Sequence, residues 1–270
     1  MSRPPFDAVH LWLEYCLDPH RDDDLKRWNG NITTGDFKRF KHALQSGHLP
    51  TIQHMLDNHM QSPELSCTYH NKHNHRRWRR AEDLIIKHTK PGDVVVDIGA
   101  GSHASMINML LMSAPDRKYI ICDLTSPLLL ACHNVGTTHD VKYVNLKDFR
   151  PSDTQQSLMD LLNTHDCIML PHHLCYMLYH VPIGSTFYNS YSFGEMSSDE
   201  VSEYMDIISV TQSQLISENY WNNSAQVQCH LCSGEVQPVE QSIPGHMSCT
   251  YQRDPHVPTN TGAKIVVYEP

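Results

Sequence analysis

Residues 92–105 read GDVVVDIGAGSHAS. Three consecutive valines are β-branched and apolar, which fits a strand. The run ends in Asp97, with Gly99 and Gly101 at alternate positions after it. Glycines there let the backbone turn tightly and approach whatever lies beyond the strand's carboxyl end. A strand of this kind belongs to a largely parallel sheet, whose sites lie at the strands' carboxyl ends. The downstream sequence continues the pattern. Helix-like SMINMLLMSA precedes strand-like KYIICDL, PLLLACHNV precedes VKYVNL, and TQQSLMDLLNT precedes HDCIMLP. Strands alternating with helices of about ten residues define βαβ units and an α/β fold.

The flanks read differently. Residues 1–66 form a helical N-terminal extension, with an apolar periodicity at Phe6, Val9, Leu11, Leu13 and Leu17 and a helix in TTGDFKRFKHALQSG closed by Gly47. RRWRRAEDLIIKH is a helix with a basic first half, ended by Pro91 and Gly92. Residues 67–205 hold the core, in which STFYNSYSF reads as a strand and Ser197 with Glu200 forms a capping box before DEVSEYMDII. Residues 206–270 form an irregular β-rich C-terminal part of the same domain, closed by AKIVVYE. No apolar run approaches the length of a membrane span. The short apolar run near the N-terminus is broken by His10, Glu14 and Asp18, which excludes a signal peptide. Nine cysteines, an odd number, fit a reducing, cytoplasmic compartment.

The glycine turn is no dinucleotide fingerprint, because Ala104 stands where the third glycine belongs, and no G-K-[ST] follows to make a P-loop. The VVVDIGAGS segment resembles the first motif of S-adenosylmethionine-dependent methyltransferases. That resemblance implies a Rossmann-like core with the cofactor's amino-acid end against Asp97, Gly99 and Gly101. It also implies an acidic residue at the end of the second strand for the ribose hydroxyls, where Asp123 stands; Asp148 ends the third strand. On the residues alone, an alternative is that Asp97 caps the next helix and the glycines only relieve strain.

A wider resemblance rests on the segments YHNKHNHRRWRRAEDLI, DIG and SYSFGEMSSDEVSEYM, with cysteines at 122, 167 and 175. Over residues 67–205 this order is similar to the alphavirus-like RNA-capping enzymes of positive-strand RNA viruses. That family methylates GTP at N7, and a histidine then carries m7GMP to the RNA 5′ end. The resemblance implies His70, 27 positions before Asp97, as the nucleophile, with His73 and His75 open, and Tyr191 as a further catalytic residue. A neutral imidazole suits that attack at cytosolic pH. It further implies magnesium, GTP and an RNA 5′ end as partners, other replication proteins, and a host-cytoplasmic setting with attachment to a membrane surface. Two departures stand out: His103 replaces the arginine expected after DIG, and Tyr143 follows Asp140 where an Asp-x-x-Arg motif is expected.

Zinc has two readings. Cys229-x2-Cys232 and His246-x2-Cys249, with 13 residues between the pairs, have the spacing of a tetrahedral site. The resemblance instead implies Cys122, Cys167 and Cys175 with His172 or His173. Arg76, Arg77, Arg79 and Arg80 are a local basic cluster in a chain of net charge −9, either an anion-binding patch or a solvated helix face. The favoured function is thus viral mRNA capping. Its rivals are a cellular-type methyltransferase acting on RNA or a small molecule without guanylylation, and a catalytically dead, zinc-stabilised binding module.

Overall fold

The computed structural model describes residues 7–19, 21, 35–61, 72–101, 104–145, 148, 154–190, 192–220, 242–252 and 263–270. The chain is α/β, built on an eight-stranded sheet among the described residues. Its strands are β1 (Val94–Ile98), β2 (Lys118–Asp123), β3 (Val141–Tyr143), β4 (Cys167–Pro171), β5 (Thr186–Ser190), β6 (Gln214–Tyr220), β7 (Ser248–Gln252) and β8 (Ala263–Glu269). The order across the sheet is β3-β4-β2-β1-β5-β6-β8-β7. Strands β1 to β6 run parallel, β8 is antiparallel to β6, and β7 is antiparallel to β8.

The valine run folds as its chemistry requires: all five residues of β1 are buried. Alternate residues feed two cores. Val95, Tyr119, Ile121, Met169, Tyr188 and Ile216 face one side, where α1 (Ala8–Leu17), α2 (Gly35–Ser46), α3 (Leu49–Gln61), α4 (Lys72–His88), α5 (Ser105–Ser113) and α6 (Thr125–Gly136) pack. Val96, Ile98, Ile120, Cys122, Ile168, Leu170 and Phe187 face the other side. That side is covered by α7 (Thr154–Thr164), a 3-10 segment His172–His180 and α8 (Ser198–Val210). Each fully buried aliphatic side chain contributes about 1.5–3 kcal/mol of transfer free energy, so the two layers hold the sheet from both faces.

Two features differ from the sequence reading. In a doubly wound sheet of the usual order the third strand lies beside the second; here β4 takes that place, pairing Tyr119 with Cys167 and Asp123 with Pro171, and β3 sits outside it. Strand β6 escaped the sequence reading because its polar residues Ser217 and Glu218 are buried inside the sheet. The capping box is present: Ser197 Oγ accepts from the Glu200 N–H, and Glu200 Oε2 accepts from the Ser197 N–H at 2.8 Å. Among the described residues no helix is long and apolar enough to cross a membrane.

Candidate active site at the carboxyl ends of the central strands

The chain moves outward from β1 through β2 toward β4 and β3, then crosses to the other side of β1 to form β5. Where successive connections diverge in this way, the loops leave a crevice beyond the strand ends, the usual ligand position in open α/β sheets. The glycine turn after β1 and Ser192, just beyond β5, meet at this end of the sheet.

Gly99 and Gly101 both adopt φ +69°, a left-handed conformation that glycine enters without strain. The Gly99 N–H donates to the Cys122 carbonyl at 2.8 Å, tying the turn to β2. A Cβ on Gly99 would collide with Ser192 Oγ and Cβ, whereas a Cβ on Gly101 would meet nothing within 4 Å among the described residues. The turn is therefore packed on its inner side and open at Gly101. Ala104, also left-handed at φ 45°, occupies the N-cap position of α5 and makes no side-chain cap. Asp97 therefore does not cap the helix.

Asp97 is 3% exposed, and among the described residues its carboxylate has neither a hydrogen bond nor an ion pair. Burial, then the nearby Asp123 carboxylate, push its carboxyl well above the ordinary range. Asp123 is partly buried and accepts from the Gly101 N–H at 2.7 Å and from the Leu124 N–H at 2.7 Å. The structure thus brings together Asp97, Gly99, Gly101 and Asp123. It does not bring Asp148 to them. Because β4 intervenes, Asp148 lies beyond the outermost strand of the parallel sheet, 3.0 Å from Lys142 Nζ and accepting from the Asn145 N–H.

The cysteine set Cys122, Cys167 and Cys175 is corrected by strand parity. Cys122 and Cys175 lie in the core on the α8 side, while Cys167 points into the opposite core. One metal ion cannot take ligands from both faces of a sheet. Cys122 and Cys175 belong instead to a buried polar network. Tyr204 Oη is 3.3 Å from Cys122 Sγ and 2.9 Å from His172 Nδ1, and His172 Nε2 is 3.4 Å from Glu200 Oε1. Cys175 donates to Glu203 Oε1 at 3.4 Å; burial, then Glu203, push its thiol up to about 12. His173 Nδ1 lies 3.5 Å from Asp18 Oδ1, and Asp18 also accepts from the Thr125 hydroxyl, so the end of α1 is tied to the start of α6.

In the second zinc set, Cys229 and Cys232 lie outside the described residues. His246 and Cys249 are exposed, and His246 Nε2 is 3.3 Å from Ser209 Oγ. The described residues contain no group of three or more histidine, cysteine, aspartate or glutamate side chains able to hold a metal ion. His70, Tyr191 and His103 also lie outside the described residues; His73 and His75 lie on α4.

Sequence reading missed Asn189 and Ser192. Asn189 is fully buried, and its Nδ2 donates to the Ile98 carbonyl at 2.9 Å and to Ser192 Oγ. Ser192 Oγ also donates to the Ile98 carbonyl at 2.9 Å, and Asn189 Oδ1 accepts from the Phe193 N–H at 3.3 Å. The available signal was a polar pair at the end of a strand, Asn189 within β5 and Ser192 just beyond it.

No protein-family model matches the chain, and no curated protein matches it. Among solved structures it is similar to MtNAS in complex with MTA and tNA, at 10% identity and TM-score 0.45, over 80% of this chain and 68% of that one. A putative O-methyltransferase from Nostoc punctiforme PCC 73102 gives 12% identity and TM-score 0.42, covering 97% of this chain and 72% of that one. PigF with SAH gives 10% identity and TM-score 0.38, covering 69% of this chain; the match spans only 53% of PigF. At these scores the similarity carries nothing about ligand or chemistry. None of these likenesses supports a relationship to viral capping enzymes.

Proposed function

We propose that the chain is an S-adenosylmethionine-dependent methyltransferase that transfers the methyl group directly to its acceptor, without an enzyme-bound nucleotide. The observation that carries this reading is the pairing of an open glycine turn with Asp97, a buried carboxylate lacking a partner among the described residues. A buried carboxylate is costly unless a cation or donors meet it, and the cofactor's amino-acid end carries an ammonium group. Asp123 stands at the strand end, where a carboxylate accepts hydrogen bonds from a ribose diol. Asp97, Gly99, Gly101 and Asp123 would hold the cofactor.

When bound, the sulfonium supplies an activated methyl group that passes to a nucleophilic oxygen or nitrogen of the acceptor. The chain's own residues act by placement and charge. Asp97 orients a cationic end, Asp123 fixes the sugar, and the glycine backbone allows close approach. With a net charge of −9 and two carboxylates at the strand ends, the electrostatics favour a small acceptor over a polyphosphate or an RNA chain.

Calorimetric titration with S-adenosylhomocysteine tests the cofactor reading, and Asp123→Ala should weaken binding at least tenfold, given the strength of hydrogen bonds to charged groups. Absence of binding by the wild-type protein refutes it. Intact-mass spectrometry after incubation with GTP, S-adenosylmethionine and magnesium tests direct transfer. An unchanged mass is expected. A gain equal to m7GMP that is lost in His70→Ala would replace direct transfer with capping.

A further inference from the structure

We infer that Asn189 and Ser192 are positioning residues that set the glycine turn for its ligand, acting from β5 across the switch point of the sheet. The inference rests on the cofactor reading above and adds a second support to a site so far described only from β1 and β2.

The geometry is specific. A peptide turn with two left-handed glycines has many accessible shapes, and glycine loses more conformational freedom on ordering than any other residue. Three anchors reduce that freedom here. The Cys122 carbonyl takes the Gly99 N–H, and the Asp123 carboxylate takes the Gly101 N–H. The third is the Ile98 carbonyl, the last of β1, which accepts from both Asn189 Nδ2 and Ser192 Oγ at 2.9 Å. Two donors on one carbonyl fix the orientation of the peptide plane between Ile98 and Gly99, and so the direction in which the turn departs. Asn189 is held in turn by its neighbours: its amide also donates to Ser192 Oγ, and its carbonyl oxygen accepts from the Phe193 N–H.

Ser192 acts through its volume as well. It fills the space that a side chain at residue 99 would occupy, so the turn cannot sink toward β5. Asp123 spends one carboxylate oxygen on Gly101. A displaced turn would therefore also displace the group expected to meet the ribose. The clamp does not touch the ligand; it holds the atoms that do.

The test compares wild type, Ser192→Ala, Asn189→Ala and Tyr119→Phe. Tyr119 is a matched control: its buried hydroxyl donates to the Leu110 and Ala114 carbonyls at the far end of the sheet. The readouts are the dissociation constant for S-adenosylhomocysteine, the melting temperature, and amide hydrogen exchange of Gly99 and Gly101 in the free protein. Removing one such hydrogen bond is worth about a two- to tenfold change in an equilibrium constant. Ser192→Ala should weaken binding about fivefold and speed exchange at Gly99 and Gly101. Tyr119→Phe should lower the melting temperature and leave both of the other readouts unchanged. Asn189→Ala should exceed Ser192→Ala; if it fails to fold, Ser192→Ala decides alone. Wild-type affinity and wild-type exchange in Ser192→Ala overturn the clamp while leaving the cofactor reading intact. A wild-type protein that does not bind S-adenosylhomocysteine overturns both, and is recognised before any variant is measured.

Discussion

Gly99→Ala and Gly101→Ala make a comparison in which the backbone cost is shared and the steric cost is not. Both positions sit at φ +69°. An alanine held there costs about 1–2 kcal/mol, and this is the whole expectation for Gly101, where a Cβ meets nothing within 4 Å among the described residues. At Gly99 the new Cβ collides with Cβ as well as Oγ of Ser192, so rotation of the serine cannot relieve it. The 3-10 segment Ser192–Glu195 must shift instead, and the two hydrogen bonds to the Ile98 carbonyl lengthen or break. At about 1 kcal/mol each, their loss raises the cost of Gly99→Ala to about 3–4 kcal/mol. Urea unfolding of the two variants should therefore differ by about 2 kcal/mol, or about 5 °C in melting temperature for a chain of this size. Ser192→Gly in the Gly99→Ala background should recover part of the difference, since it removes the colliding atoms. Equal destabilisation of the two alanine variants, or no recovery, refutes the packing argument.

Other predictions concern charge and capping. Asp97 has a native pKa raised by burial and by Asp123. Its protonated form therefore favours the fold: that contribution is full below the unfolded carboxylate value of about 3.9 and is lost as pH rises through the native value. Asp97→Asn should raise the melting temperature of the free protein at pH 7 and leave it nearly unchanged at pH 3.5; a drop at pH 7 contradicts the burial argument. By the same linkage, wild-type affinity for S-adenosylhomocysteine should rise with pH through the native value, and calorimetry should show this slope vanish in Asp97→Asn. Tyr204→Phe removes a hydroxyl shared with His172 and Cys122, and chemical unfolding should register about 1–3 kcal/mol. Ser197→Ala removes the α8 cap; it should cost about 1 kcal/mol without altering ligand affinity.

Much of the fold between residues 92 and 210 was legible because its signals are local. The buried valine run, the glycine turn, the alternating helices and the Ser197–Glu200 box each depend on residues within a few positions of one another. Asp97, Gly99, Gly101 and Asp123 were legible for the same reason, since each ends or follows a recognisable strand. What was not legible depends on partners distant in sequence. Cys167 is on the wrong side of the sheet to join Cys122 because the register aligns it with Tyr119, and no spacing along the chain states that alignment. Asp148 was placed by its position after a third strand, but a strand's neighbours are set by the whole sheet. Asn189 looked like an ordinary polar strand end; its meaning comes from the Ile98 carbonyl, 91 residues away in the chain.

The position of β4 between β2 and β3 also governs the order in which the chain can assemble. Residues 118–123 and 141–143 share no pairing of their own; both are joined only through residues 167–171. During synthesis β3 therefore has no partner in the parallel sheet until β4 has been made. Until then the outer edge of β2 offers unpaired backbone groups along an apolar strand, an invitation to pair with another chain. A fragment ending at residue 166 would lack β4 on one side of the β1–β2 pair and β5, with Asn189 and Ser192, on the other; with both edges open, self-association would be its characteristic failure.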